Sequence, residues 1–297
     1  MQIRVIGVPM DLGADRRGVD IGPSAIRYAN LQEQLQRIGH TIQDKGNLFV
    51  AQPESEPTGH PRLKYLDTIL QVSAELAEQV ARSLQEGYFP LILGGDHSIA
   101  LGSISGVARV HRNVGVIWVD AHPDFNTDET TPSGNIHGMI LSALAGLGNK
   151  RLTDLDDWSP KLNKDTIVIV GARDIDKGEQ TLLRDNAIHV FTMSDIDQNG
   201  ISTVLRQAVA LAGQHNNPIH LSLDMDALDP QEAPGVGTPV RGGLSYREAH
   251  LAMEMVADSG RLVSMDVVEV NAILDRENAT ARLAVELILS ALGKKIM

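Results

Sequence analysis

Along the 297 residues, short apolar runs alternate with longer stretches of helical periodicity. "IRVIGV" (3–8), "FPLILGG" (89–95), "VGVIWVD" (114–120), "TIVIVGA" (166–172), "IHVFTM" (188–193), "PIHLSLDMD" (218–226) and "LVSMDVVEV" (262–270) read as strands, with "HTIQDKG" (40–46) a weaker eighth. Several are apolar almost throughout, the pattern of parallel strands covered on both faces. The stretch 65–86 places Leu66, Ile69, Leu70, Leu76, Val80 and Leu84 on one helical side, and Gly87 follows as a stop. Ser245 and Glu248 fit a capping box opening another helix, and a last helix covers 278–292. The polar, Pro-rich stretch "AQPESEPTGHPR" (51–62) reads as a surface loop. Strand–helix alternation without a compositional break or internal repeat predicts one α/β domain over 1–297, with a mainly parallel sheet of about eight strands.

Composition narrows the classes. The hydrophobic fraction of 42% suits a folded globular chain. A net charge of −12 with no basic stripe argues against nucleic acid as the main partner. The absence of cysteine excludes disulfides, thiolate metal sites and a cysteine nucleophile. The start "MQIRVIGVPMDLG" lacks a signal-peptide pattern, and no apolar stretch approaches membrane-spanning length, so the expected location is the cytoplasm, away from membranes.

Acids and imidazoles collect just after the strand candidates, where sites form in parallel α/β sheets. Asp96 and His97 follow the second run; Asp120, His122 and Asp124 follow the third. Arg173, Asp174, Asp176 and Glu179 follow the fourth; Asp224, Asp226 and Asp229 close the sixth; Glu269 lies near the end of the seventh. A lone aspartate there is usually a helix cap or turn residue. Here the acids share a period of two, which in extended chain turns side chains the same way. Carboxylates leaving a buried strand end together repel one another unless cations are present. The set His97, Asp120, His122, Asp124, Asp224 and Asp226 is oxygen-rich and sulfur-free, which favours Mn²⁺ and leaves Zn²⁺, Co²⁺ and Ni²⁺ open. Six ligands suit two ions with bridging carboxylates, an arrangement that acidifies water for hydrolysis.

Six blocks in order, "GGDHS" (94–98), "DAHPDFNT" (120–127), "SGNIHGM" (133–139), "SLDMDALDP" (222–230), "GVGTPVRGGLSYRE" (235–248) and "EVN" (269–271), resemble the ureohydrolase family, and within it the bacterial arginases. The opening "GVPMDLGADRRGVDIGPSAIR" (7–27) resembles them too. The resemblance implies an arginase-like, three-layer α/β/α fold and two Mn²⁺ per subunit. One ion would take His97, Asp120, Asp124 and Asp224, and the other His122, Asp120, Asp224 and Asp226, with Asp120 and Asp224 bridging. It implies conversion of L-arginine and water to L-ornithine and urea, by attack of a metal-bridging hydroxide on the guanidinium carbon.

The same resemblance assigns the remaining polar residues. Glu269 would orient the guanidinium, beside Thr238, and His137 would shuttle a proton to the leaving amine, a role that suits an imidazole. Asn126, Thr131 and Ser133 match positions that bind the α-carboxylate. Asn135 and Asp176 match positions near the α-amino group, with Glu179 behind Asp176. Asp124 would count among the catalytic residues as well as the ligands. The "NT…SGN" stretch favours arginine over agmatine, which lacks the carboxylate; a ureohydrolase acting on agmatine or another guanidino compound is the alternative. A homohexamer built as a dimer of trimers, or a trimer, is the implied assembly.

Other readings fit less well. A metallophosphoesterase would place its G-D, D-x-H and G-N-H elements in another order and carry a G-H-x-H motif that this chain lacks. A binding protein that lost activity would not need all six ligands and the shuttle. Three positions depart from the family's habit: Pro123 for a small residue, Ala227 for glycine and Ala272 for proline. Met10, Met139, Met225 and Met265 read as packing residues, and Arg16 and Arg17 as surface charges or subunit contacts. Seven of the ten histidines receive no role.

Overall fold

Eight strands pair side by side in the computed structural model, which describes residues 1–295. They are β1 (Gln2–Val8), β2 (Thr41–Asn47), β3 (Phe89–Gly94), β4 (Gly115–Val119), β5 (Ile167–Ala172), β6 (His189–Thr192), β7 (Ile219–Asp224) and β8 (Leu262–Val268). Their order in space is β2-β1-β3-β8-β7-β4-β5-β6. Every neighbouring pair is parallel. Strands β3, β4, β5 and β7 are buried along their whole length, β7 with His220, Ser222 and Asp224 included, whereas the polar β2 is the exposed edge.

Alternate residues of each strand feed opposite cores, as the two-residue period requires. Ile117 and Val119 face a cluster with Leu221, Leu223, Val204 and Leu205, while Val116 and Trp118 face another with Ile69, Leu76, Ile104 and Val107. The first is covered by α4 (Ile201–Ala212), α5 (Tyr246–Asp258) and α6 (Ala279–Ala291), the second by α1 (Leu66–Gln85) and α2 (Ala100–Val110). A further helix, α3 (Lys177–Asp185), follows β5. The result is the expected three-layer α/β/α arrangement. Truncating a fully buried residue such as Ile117 to alanine costs about 2–5 kcal/mol at such densities.

The expected capping box forms, with the Ser245 side chain on the Glu248 N–H and the Glu248 carboxylate on the Ser245 N–H. All four methionines read as packing residues are buried. Two expectations change. The stretch 51–62 is more than a loop: Gly59–His60 pairs antiparallel with Leu63–Lys64 in a small hairpin. The strands also stop earlier than their polar ends implied, β4 at Val119 and β7 at Asp224. Beyond Val119 the backbone turns, and Asp124 adopts a left-handed φ of 51°. Extended geometry therefore does not bring Asp120, His122 and Asp124 together; a folded loop does. Asp226 likewise sits in a single 3-10 turn, Met225–Ala227.

Candidate metal centre and substrate cavity

The four strands at the middle of the sheet, β3, β8, β7 and β4, end side by side. Their carboxyl ends deliver His97, Glu269, Asp224 with Asp226, and Asp120 with His122 and Asp124. Two groups with ligand spacing result, His97–Asp120–Asp224 and Asp120–His122–Asp226. They share Asp120, whose two oxygens face different imidazoles. Its Oδ2 is 3.0 Å from His97 Nδ1, and its Oδ1 is 3.4 Å from His122 Nδ1. Asp124 Oδ2 and Asp224 Oδ2 each stand 3.2 Å from His97 Nδ1, and Asp226 Oδ2 stands 3.1 Å from His122 Nδ1.

One atom tests whether this arrangement suits metal. His97 Nδ1 is buried and has no hydrogen-bond partner, although three carboxylate oxygens surround it. Buried polar atoms are normally satisfied. An unshared nitrogen lone pair aimed with carboxylates at one point is the donor set of a divalent cation. The residues therefore fit a metal pair, with Asp120 able to touch both ions.

The surrounding hydrogen bonds fix these candidate ligands. The Trp118 indole N–H donates to Asp120 Oδ2 at 2.9 Å, and its ring stacks on His97 with centroids 3.8 Å apart. The His122 N–H donates to Asp120 Oδ1, and the Asp226 N–H to Asp224 Oδ1, both at 2.7 Å. Thr238 Oγ1 donates to Asp226 Oδ2 at 2.8 Å. His97 Nε2 meets Ser222 Oγ at 2.8 Å, and Ser222 donates to Asp266, which also receives Ser103 and contacts His220 Nε2. All these residues of the polar thread are fully buried.

So many acids out of water demand positive charge nearby. Burial, with the Asp226 and Asp120 carboxylates beside it, pushes Asp224 well above the usual carboxylate range. Burial and Asp120 also raise Asp124 and Asp226. Burial opposes ionisation of Asp120 too, but His122 and His97 outweigh it and hold that carboxyl below its ordinary value. Burial likewise disfavours the His137 imidazolium, and the Glu269 carboxylate 3.4 Å away overcomes this, so the group titrates at about 9.

Above the acids lies a cavity of about 330 Å³. His122, Asp124, Asn126, Thr131, Ser133, Asn135, His137, Asp176, Glu179 and Thr238 line it. Glu269 opens instead onto an adjoining cavity of about 340 Å³, which Asn135, His137 and Thr238 share. The structure thus gathers the residues singled out as shuttle and substrate contacts around two adjoining cavities, with His97, Asp120, Asp224 and Asp226 buried beneath. Glu269 and Asp124 are both non-glycine residues at positive φ, 62° and 51°, the kind of backbone strain that collects at functional sites. Asp176 combines two readings: its Oδ1 caps α3 through the Gly178 and Glu179 N–H groups, while its Oδ2 receives Asn126 Nδ2 at 2.7 Å.

Arg173 and Asp96 stand after strand candidates in the sequence but receive no role there. Arg173 donates to the carbonyls of Asp226 (2.7 Å), Ala227 (3.0 Å), Leu228 (3.2 Å) and Val240 (2.8 Å), clamping the turn that carries Asp226. Asp96 accepts from the Gly13 and Ser98 N–H groups, joining the β1 end to the β3 end. Arg17 pairs with Asp11 and Glu54 on its own chain. The only signal for Arg173 was its place after a strand. Pro123 and Ala227 are buried.

Comparison with known proteins agrees with this geometry. The Arginase family model matches residues 1–293. The chain is 52% identical to an arginase of Brevibacillus brevis over 295 residues, 99% of this chain and 98% of that one. The crystal structure of an arginase from Bacillus cereus superposes with a TM-score of 0.95 at 50% identity, covering 100% of both chains. An arginase from Bacillus caldovelox superposes with a TM-score of 0.96 at 48% identity, covering 99% of each. Among the described residues, no helix is long and apolar enough to cross a membrane. The chain belongs to the arginase family of hydrolases.

Proposed function

We propose that this enzyme hydrolyses L-arginine to L-ornithine and urea with two Mn²⁺ ions. The observation that carries the reading is the pair of ligand groups sharing Asp120 beneath the cavity lined by Asn126, Ser133 and Asp176. His97, Asp120, Asp124 and Asp224 would hold one ion, and Asp120, His122, Asp224 and Asp226 the other. When bound, such a pair lowers the pKa of water toward neutrality and supplies hydroxide as nucleophile.

The chain's own groups do the rest. The guanidinium keeps its charge at any ordinary pH, and the buried Glu269 carboxylate offers it a matching anion. The His97 N–H donates to Glu269 Oε1 at 3.0 Å and holds that carboxylate in place. His137 stands next to Glu269, whose carboxylate favours the imidazolium, and it donates a proton to the departing amine of ornithine. At the far end, Asn126, Thr131 and Ser133 address the α-carboxylate, and Asp176 with Glu179 the α-ammonium. A site that binds a carboxylate strongly rejects an analogue without one, which separates arginine from agmatine.

Urea release by chelated protein, assayed with and without added Mn²⁺, tests the reading. L-arginine hydrolysis that depends on the metal is expected; faster turnover of agmatine than of L-arginine would overturn it. The resemblance to bacterial arginases also supports a single catalytic domain, a cytoplasmic homohexamer of two trimers, and sedimentation velocity measures that assembly.

A further inference from the structure

The small hairpin at residues 59–64 lies against the loop that carries the amino-acid end of the cavity. The Lys64 N–H donates to the Gly134 carbonyl at 3.1 Å. Arg62 donates from its guanidinium to two successive carbonyls of the same loop, Asp128 and Glu129. The approach leaves no room for a side chain: a Cβ on Gly134, at φ 78°, would stand 1.9 Å from the Pro61 carbonyl oxygen.

Lys64 also reaches the recognition group itself. Its Nζ is 2.9 Å from Asn135 Oδ1 and 2.9 and 3.1 Å from the two Asp15 oxygens. Asn135 lines the cavity; the Asp15 carboxyl is held below its ordinary range by Lys64 and, to a lesser degree, by the Asn135 amide. An ammonium has three donors and no acceptor, so the amide edge that faces it must be the oxygen. Asp15 accepts only, and it favours the amide nitrogen on its own side. Lys64 and Asp15 together therefore orient the Asn135 amide. With the oxygen on Lys64 and one N–H on Asp15, the polar group left for a ligand is the second N–H donor.

A donor edge suits a carboxylate and repels an ammonium. We propose that Lys64 is a positioning residue for substrate selection: it locks the Asn135 amide so that its N–H edge serves the α-carboxylate, with Arg62 bracing the loop behind. This reassigns Asn135, whose family match had placed it near the α-amino group, and it rests on the proposed hydrolysis of arginine. Lys64 contacts no reacting atom. It acts on the grip at the amino-acid end, and an unlocked amide presents its oxygen to the carboxylate part of the time.

The experiment compares wild type, Lys64→Met and Lys64→Arg, all Mn²⁺-loaded, by KM and kcat for L-arginine and by the inhibition constant of agmatine. Methionine keeps the stem and removes the donor; arginine keeps a donor-only cation. Lys64→Met is expected to raise the KM for L-arginine about tenfold while kcat and the agmatine constant stay within about twofold, and Lys64→Arg to recover most of the loss. Equal losses for both ligands, or no change in KM, would overturn the inference. Wild-type protein that releases no urea from L-arginine would instead remove the functional reading beneath it.

Discussion

The Ser222 hydroxyl lies 2.8 Å from His97 Nε2 and donates its own hydrogen to Asp266. Its oxygen therefore accepts, and the hydrogen-bond network assigns the proton of His97 to Nε2. That assignment leaves Nδ1, among three carboxylates, as the nitrogen that can give a lone pair to a cation; without one, those carboxylates favour its protonation. A serine on one central strand and an aspartate on the next thus decide which nitrogen is available to metal.

Ser222→Ala should accordingly weaken metal at the His97 group by about 10–100-fold, with less effect at the His122 group. Titration of metal-free protein with Mn²⁺ by calorimetry resolves the two. Unchanged affinity at both would show that the imidazole needs no such orientation.

The acids of the centre also shape stability without metal. Asp224 is pushed far up by burial and by Asp226 and Asp120, so the metal-free fold must protonate a group that the unfolded chain leaves ionised. Asp224→Asn should raise the melting temperature of chelated protein by about 2 °C or more. The same variant should lose most of the stabilisation that Mn²⁺ gives the wild type, roughly 4 kcal/mol at a thousandfold excess over Kd. Paired melts with and without Mn²⁺ read both effects. An Asp224→Asn protein that Mn²⁺ still stabilised as much as the parent would remove Asp224 from the ligand set.

Glu179 sets a pH dependence. Burial, with Asp124 and Asp176 nearby and against the Phe125 N–H it accepts at 2.8 Å, raises its carboxyl from 4.5 to about 8. The folded chain then holds a proton that the unfolded chain has released. Stability falls as pH rises from about 4.5 to 8, by up to about 1.4 kcal/mol per pH unit, and the loss is complete above that range. Glu179→Gln keeps an acceptor for Phe125 and has no proton to lose. Melts of the chelated proteins at pH 5 and pH 8 should show a shallower decline in the variant; parallel declines would assign the dependence elsewhere.

Arg173 joins the turn at Asp226 to Val240 through carbonyls that a lysine cannot reach together. Arg173→Lys should strand at least one buried carbonyl, at about 1–3 kcal/mol, and loosen metal at the His122–Asp226 group more than at the His97 group. Melting temperature and Mn²⁺ titration check the two halves. Equal weakening of both groups would point to general unfolding.

Much of this protein was readable in its residues, for physical reasons that differ by element. β4 announced itself because a strand buried on both faces is apolar nearly throughout. The ligands were readable because carboxylates do not gather at a strand end without a cation. The expected geometry failed at Asp124, since a two-residue period holds only while the chain stays extended. His220 carried no legible signal: its partners Ser264 and Asp266 lie 44 and 46 residues away, and only the pairing of β7 with β8 brings them together. Lys64 was hidden similarly, because a charge in a polar stretch looks solvated until its partner 71 residues on is known.

The order of strands has a further consequence, for biosynthesis. β7 and β8, the last two strands made, fill the gap between β3 and β4. Until Ile219 and the residues after it have left the ribosome, the nascent sheet is two unjoined halves, with His97 on one and Asp120 on the other. Neither half holds a complete set of the candidate ligands, so the groups that share Asp120 can come together only once β7 and β8 have closed the sheet.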